Sequence, residues 1–158
     1  MPTTVLIADD NAKVRELWQR LLRAMPDVDV VGEACDGEEA VRLALQHRPS
    51  VVLMDISMPR LDGIEATRRI RLEAGSVRVI IVSADTSPAF VEKGFAVGAD
   101  GYVAKAAAAV ELPRALHALA RGERFTTPPA RRHPADLAHG RHISVTPLMP
   151  WRRRRTNP

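Results

Sequence analysis

Val51-Val52-Leu53-Met54-Asp55 is a run of four apolar residues ending in a carboxylate. Met58-Pro59 follows and cannot continue a strand, and Asp62-Gly63 opens a new element. A short unbroken apolar run with two valines is the pattern of a strand buried on both faces, as in a parallel sheet whose crossovers cover both sides. An acid at the C-terminal end of such a strand stands where open α/β sheets place their chemistry.

Similar runs lie on either side. Val5-Leu6-Ile7-Ala8 reads as a first buried strand and ends in Asp9-Asp10. Asn11 caps a helix in which Val14, Leu17, Trp18, Leu21, Leu22 and Met25 form one apolar stripe, stopped by Pro26. Trp18 and Met25 in that stripe are read as core. Val28 to Cys35 begins with acidic–apolar alternation, as an edge strand would, and Asp36-Gly37 turns the chain into a helix that ends at His47-Arg48-Pro49. His47 is read as a solvated helix-end residue.

After the central strand, a helix is expected over about 63–73, a strand over 77–83 closing in Ser83-Ala84, and a helix from the Ser87-Pro88 cap to Gly98. That fourth helix is weak, because Gly94 lies inside it. Gly101-Tyr102-Val103-Ala104 is a short fifth strand followed at once by Lys105, and a last helix runs over about 108–121. Five strands alternating with five helices predict an α/β fold, a parallel sheet covered on both faces. Right-handed crossovers suggest the flavodoxin-like order 2-1-3-4-5.

Composition fits one domain with a tail. The chain has 158 residues, 46% of them apolar, and no run approaches the ~20 apolar residues of a membrane span. It reaches a strand within a few residues of the N-terminus, without the pattern of a signal peptide. The one cysteine, Cys35, excludes an internal disulfide, fits a reducing cytoplasmic setting and is expected to pack in the core. Residues 1–124 hold 16 Lys and Arg against 18 Asp and Glu, a net of −2, whereas residues 125–158 hold 7 Arg against one Asp, a net of +6. The net charge of +4 therefore belongs to the tail. The expected organisation is a domain over 1–122 and a basic Pro/Arg-rich, disordered tail over 123–158.

In a parallel sheet the C-terminal strand ends share one edge. Asp9, Asp10, Asp55, Ser83 and Lys105 should therefore meet: three carboxylates, a hydroxyl and an ammonium. Carboxylates so close resist ionising together, and a hard divalent cation such as Mg²⁺ removes the conflict. One carboxylate could then act as a nucleophile and form an acyl phosphate, with the cation, Lys105 and Ser83 holding the phosphoryl oxygens.

Asp9-Asp10, the segment Asp55-Ile56-Ser57-Met58-Pro59-Arg60-Leu61-Asp62-Gly63, Ser83-Ala84, and Gly98-Ala99-Asp100-Gly101-Tyr102 leading to Lys105 together resemble the receiver domain of bacterial two-component response regulators. The resemblance covers about residues 3–122. It implies that Asp55 is the phosphoacceptor. It also implies that Asp10, Asp55 and the backbone carbonyl of Ser57 ligate Mg²⁺, with Asp9 acting through metal-bound water. Lys105 would pair with the phosphoryl group, Ser83 would swing towards it, and Tyr102 would turn inward as Ser83 moves. Small Ala84 would leave room for the phosphodonor. Asp62-Gly63 is read as turn and capping chemistry. Many receivers carry proline after the lysine, where this chain has Ala106.

The implied role is a switch that catalyses only its own phosphorylation and dephosphorylation. A sensor histidine kinase would supply the phosphoryl group. The surface of the fourth helix, fifth strand and fifth helix would change its partner affinity. A homodimer through that face, or through the first and fifth helices, is possible. The sequence also resembles the subfamily usually joined to a helix-turn-helix output domain, but the tail is too short and too rich in proline to build one. Trp151-Arg152-Arg153-Arg154-Arg155 gives the tail a charge for non-specific DNA binding, and His133, His139 and His142 are too irregularly spaced for a metal site. The tail is read as a vestige or a passive segment ahead of a nucleic-acid binder. The competing functions are a DNA-binding transcriptional regulator and a phosphate sink that hydrolyses its phosphoryl group quickly.

Overall fold

In this computed structural model residues 1–127 are described. The elements in order are β1 (Thr3–Ala8), α1 (Ala12–Arg23), β2 (Val28–Ala34), α2 (Gly37–His47), β3 (Val51–Asp55), α3 (Gly63–Glu73), β4 (Arg78–Ser83), α4 (Pro88–Ala96), β5 (Gly101–Ala104), a 3₁₀ turn (Lys105–Ala107), α5 (Ala108–Ala120) and β6 (Phe125–Thr126). The strands form one sheet in the order β2-β1-β3-β4-β5-β6. Every pairing is parallel.

The predicted order of five strands is present, and a sixth strand extends it. Phe125 N–H donates to the Asp100 carbonyl at 3.1 Å and Thr127 N–H to the Tyr102 carbonyl at 2.9 Å. The Thr127 hydroxyl accepts from Ala104 N–H at 2.9 Å. The chain thus remains in the sheet beyond residue 122. The expectations for residues 128–158, including disorder, the three histidines and Trp151, lie outside the described residues.

β3 is buried at all five positions and lies between β1 and β4. Side chains alternate between two cores because successive strand residues point to opposite faces. Leu6, Val52, Met54, Val79 and Ile81 meet Ala40, Val41 and Ala44 of α2 and Ile64, Ala66 and Ile70 of α3. Val5, Ile7, Leu53, Ile80, Val82 and Val103 meet Trp18 and Leu22 of α1 and Leu112, Ala115 and Leu119 of α5. Trp18 is core as expected, and Met25 packs against the same cluster.

Two sequence expectations change. Cys35 is exposed, not packed in the core. β2 ends at Ala34, so Cys35 rides on the turn leading into α2, with its Sγ 3.1 Å from Glu39 Oε2. Leu17 is 60% exposed because it sits on the flank of the α1 stripe, whose buried centre is Trp18 and Leu22.

The helices following β1, β2 and β3 begin with side-chain caps. Asn11 Oδ1 accepts from Lys13 and Val14 N–H. Asp36 Oδ1 accepts from Glu39 N–H at 2.8 Å, and Asp62 Oδ1 from Glu65 N–H at 2.8 Å. Neither Ser87 at α4 nor Ala107 at α5 makes a capping bond through its side chain. Gly94 is the one buried residue of α4.

Candidate functional site: an acidic pocket at the strand ends

Asp9 follows β1, Asp55 ends β3, Ser83 ends β4 and Lys105 follows β5, so all four meet at one edge of the sheet. Asp9 is fully buried and Asp55 is 4% exposed, while Asp10 faces solvent. One carboxylate oxygen from each of Asp9, Asp10 and Asp55 lies within 4.8 Å of the others. The Lys105 ammonium stands between two of them, 2.8 Å from Asp9 Oδ2 and 3.2 Å from Asp55 Oδ1.

The backbone around each acid is tightly specified. Asp9 Oδ1 accepts from Asn11 N–H at 2.8 Å, and the Arg15 guanidinium donates to the Asp9 carbonyl at 2.7 Å. A Cβ on Gly63 would lie 1.9 Å from the Asp55 carbonyl oxygen, so only glycine allows α3 to start against the end of β3. Gly63 N–H donates to the Ile56 carbonyl at 2.9 Å. On the far side of the loop, a Cβ on Gly37 would lie 1.9 Å from the Leu61 carbonyl oxygen. Arg60 takes the left-handed conformation at φ 65° and pairs with buried Asp36 at 3.4 Å. The loop after Asp55, which includes Ser57, is therefore fixed from both α2 and α3.

Burial pushes the Asp55 carboxyl above its ordinary range, and the Asp9 charge pushes it further; the Lys105 ammonium and the Ser57 backbone N–H act the other way. Burial works against the Lys105 ammonium, but its hydrogen bond to Asp9 and the charges of Asp55 and Asp9 outweigh that, and its pKa lies above the usual lysine value. When all three acids are ionised, three negative charges face one positive charge, which leaves a local net of −2. Asp9 Oδ2 is buried, and among the described residues its one polar partner is the Lys105 ammonium at 2.8 Å. Oxygen donors only, an excess of two negative charges and an under-satisfied buried carboxylate oxygen suit a hard divalent cation.

Ser83 is buried, and its hydroxyl accepts from Asp85 N–H at 3.1 Å. Tyr102 is turned inward and 1% exposed, with its hydroxyl donating to the Asp85 carbonyl at 2.5 Å. Burial raises the Tyr102 phenol above its ordinary pKa. A Cβ on Gly94 would stand 3.1 Å from the Tyr102 ring, so the glycine makes room for the inward ring. The Lys105–Ala106 peptide is trans.

The structure thus brings Asp9, Asp10, Asp55 and Lys105 into one pocket and places Ser83 and Tyr102 on its β4–β5 side. Asp62 and Gly63 do the capping and turning that the sequence suggested. Sequence reasoning missed Arg15, the Arg60–Asp36 pair and the double use of Asp85. These partners are distant in the chain or bond through backbone atoms, and carry no pattern of their own.

Comparison with known proteins gives the same fold and pocket a family. The sequence profile of the response regulator receiver domain matches residues 5–117. The transcriptional regulatory protein LiaR of Bacillus subtilis is 40% identical over 119 residues, 75% of this chain and 56% of that protein. The nitrate/nitrite response regulator NarL of Escherichia coli is 35% identical over 122 residues, 77% of this chain and 56% of that protein. The chain therefore spans about half the length of the curated relatives it matches. A LuxR-family two-component response regulator from an Aurantimonas species superposes with a TM-score of 0.78 at 39% identity, covering 81% of this chain and 91% of that one. The isolated receiver domain of RcsB from Salmonella enterica, solved with the phosphomimetic BeF3−, superposes with a TM-score of 0.75 at 30% identity over 80% of this chain and 94% of that one. By profile, sequence and structure, the chain belongs to the response regulator receiver family.

Proposed function

We propose that this chain is a phosphorylation switch in which Asp55 accepts a phosphoryl group from a sensor histidine kinase in the cytoplasm. The observation that carries the reading is the buried Asp55 carboxylate, held 3.2 Å from the Lys105 ammonium beside Asp9 and Asp10. A carboxylate oxygen of Asp55 attacks the donor phosphorus. The bond from phosphorus to the phosphohistidine nitrogen breaks, and the imidazole leaves with the electron pair. Lys105 then shifts from the carboxylates to the new phosphoryl oxygens, keeping its charge within the pocket. Attack of water on phosphorus later returns Asp55 to the free acid.

Asp10, Asp55 and the Ser57 carbonyl are the groups that would hold Mg²⁺, with Asp9 acting through water. The ion would neutralise charge on the transferring phosphoryl group. This chain's own residues do the rest: Asn11 and Arg15 hold Asp9, Gly63 sets Asp55, and the Asp36–Arg60 pair fixes the intervening loop.

The output face of this reading is α4, β5 and α5. α4 has one buried residue, and Phe90 of α4 and Val110 of α5 are exposed at 37% and 59%. A homodimer through α1 and α5 is the alternative contact; an apolar cleft of about 530 Å³ lies beside that face, between the segment that follows α1 (Met25, Val28) and α5 (Pro113, Leu116, His117). The organisation into a receiver over 1–122 and a basic tail over 123–158 is part of the same proposal, with the first residues of that tail pairing with β5 as β6. A DNA-binding regulator is the second reading. It is favoured by relatives named as transcriptional regulators and by an RcsB structure described as dimers bound to DNA.

Acetyl phosphate with Mg²⁺, followed by intact mass, tests the switch. Wild type should gain one phosphoryl mass increment, lost on chelation and absent in Asp55→Asn. No gain in wild type overturns the reading. A phospho-form that decays within seconds would favour the phosphate sink.

A further inference from the structure

We propose that Trp18 is a positioning residue for Lys105: its indole face holds the ammonium at the mouth of the acidic pocket. This deepens, and rests on, the phosphoryl-transfer reading of the pocket. The Lys105 Nζ lies 5.9 Å from the centroid of the Trp18 ring, within the ~6 Å range of a cation–π contact. Trp18 is 2% exposed and is fixed in a core of Val5, Ile7, Leu22, Leu53 and Leu112, so its ring is a rigid platform.

Lys105 needs such a platform. It starts a 3₁₀ turn that has no side-chain cap, and Ala106-Ala107-Ala108-Ala109 follow it. Alanines carry no side chain long enough to brace a lysine. The described partners of the ammonium are Asp9, Asp55 and the Trp18 ring.

The chemistry favours a ring over a third carboxylate. A further acid would add negative charge where an anionic phosphodonor must arrive. It would also compete with the phosphoryl oxygens for the ammonium. An aromatic face attracts the cation through its quadrupole without net charge, and its attraction has no fixed donor–acceptor direction. The ammonium can therefore tilt from Asp9 towards a phosphoryl group on Asp55 while staying over the ring. Trp18 also lies on α1, the helix capped by Asn11, whose N–H holds Asp9. One helix thereby sets both the buried acid and the resting place of the lysine.

The test uses the full chain. The two tryptophans are Trp18 and Trp151, so a Trp151→Phe background isolates Trp18 emission. In that background Lys105→Met should change Trp18 emission in the resting protein, and BeF3− with Mg²⁺ should change it only when Lys105 is present. Acetyl phosphate labelling should be about five- to tenfold slower in Trp18→Leu, while Trp18→Phe, which keeps an aromatic face, stays within about twofold of wild type. Thermal melts of the two variants show whether both are folded at the assay temperature. Equal labelling rates in folded Trp18→Leu and Trp18→Phe, or emission indifferent to Lys105→Met, overturn the proposal. Should Trp18→Leu not fold, the emission measurement decides alone. Absence of labelling in wild type would defeat the phosphoryl-transfer reading and the positioning role with it. An emission response to Lys105→Met would then show a contact that survives without that chemistry, which separates the two failures.

Discussion

The half of the domain that carries Asp9, Asp10 and Asp55 is built differently from the half that carries Ser83, Tyr102 and Lys105. On the first side, α1, α2 and α3 each start with an Asx side chain that satisfies backbone N–H groups at the helix start. Gly37 and Gly63 let backbones meet closer than any other residue would allow. On the second side, α4 and α5 start without such bonds, α4 buries one residue, and the lysine stands on an alanine run. On the proposed reading the acids would keep their geometry through a phosphorylation cycle while the hydroxyl, phenol and ammonium change partners. Segments that move are drawn from the less stable parts of a fold, so that reading predicts lower local stability around α4 and α5 than around α1 to α3.

The sharpest way to break that contrast is to add one methyl group on each side. Gly63→Ala would force a Cβ to within 1.9 Å of a carbonyl oxygen in a strand buried on both faces. Neither backbone can yield. We expect a loss of about 3 kcal/mol or more in urea unfolding, together with loss of phosphoryl uptake. Gly94→Ala meets only the ends of side chains, 2.8 Å from Ile81 Cδ1 and 3.1 Å from the Tyr102 ring. There the ring can swing out, and alanine's better helix propensity offsets about 1 kcal/mol. Stability should change by less than about 1 kcal/mol, while the near-ultraviolet signal of Tyr102, the one tyrosine in the chain, shifts towards that of an exposed phenol. If Gly94→Ala destabilises as much as Gly63→Ala, the second half is as fixed as the first.

The caps give a smaller test of the same kind. Asn11→Ala and Asp62→Ala should each cost about 1 kcal/mol in chemical unfolding, since each leaves helix-start N–H groups without a partner. Ser87→Ala should stay within about 0.5 kcal/mol, since its side chain makes no capping bond. A Ser87→Ala loss equal to that of Asp62→Ala would mean that α4 is anchored through its N-terminus after all.

How much of this was legible in the sequence follows the same division. The buried strands announced themselves as apolar runs ending in turn signals, and the pocket residues were legible because each falls at such an end. Val51–Asp55 is the plainest case, with no exposed face to blur the pattern. β6 was not legible, because two residues show no period and their pairing to Asp100 and Tyr102 uses backbone atoms. Cys35 was misplaced because an apolar run does not mark the residue at which a strand stops. The contact between Trp18 and Lys105 joins residues far apart in the chain through packing that no local spacing encodes.

The smallest expected effect lies at the surface of the first half. Glu65, in the first turn of α3, is bracketed by Arg68 at 2.6 Å and Arg69 at 3.2 Å. Their hydrogen bonds hold its carboxyl down to about 2, against an ordinary value of 4.5. A carboxyl whose pKa is lower in the folded chain adds stability that is present above its unfolded pKa and is lost as pH falls through the folded one. Wild type should therefore be slightly more stable than Glu65→Gln at pH 7, and the gap in melting temperature should close between about pH 4.5 and pH 2. The pair is exposed and screened by salt, so 1 M NaCl should shrink the gap already at pH 7. A gap that persists unchanged at pH 2 would assign the effect to the position of Glu65 in the helix, leaving the Asp62 cap as the principal fastening of α3.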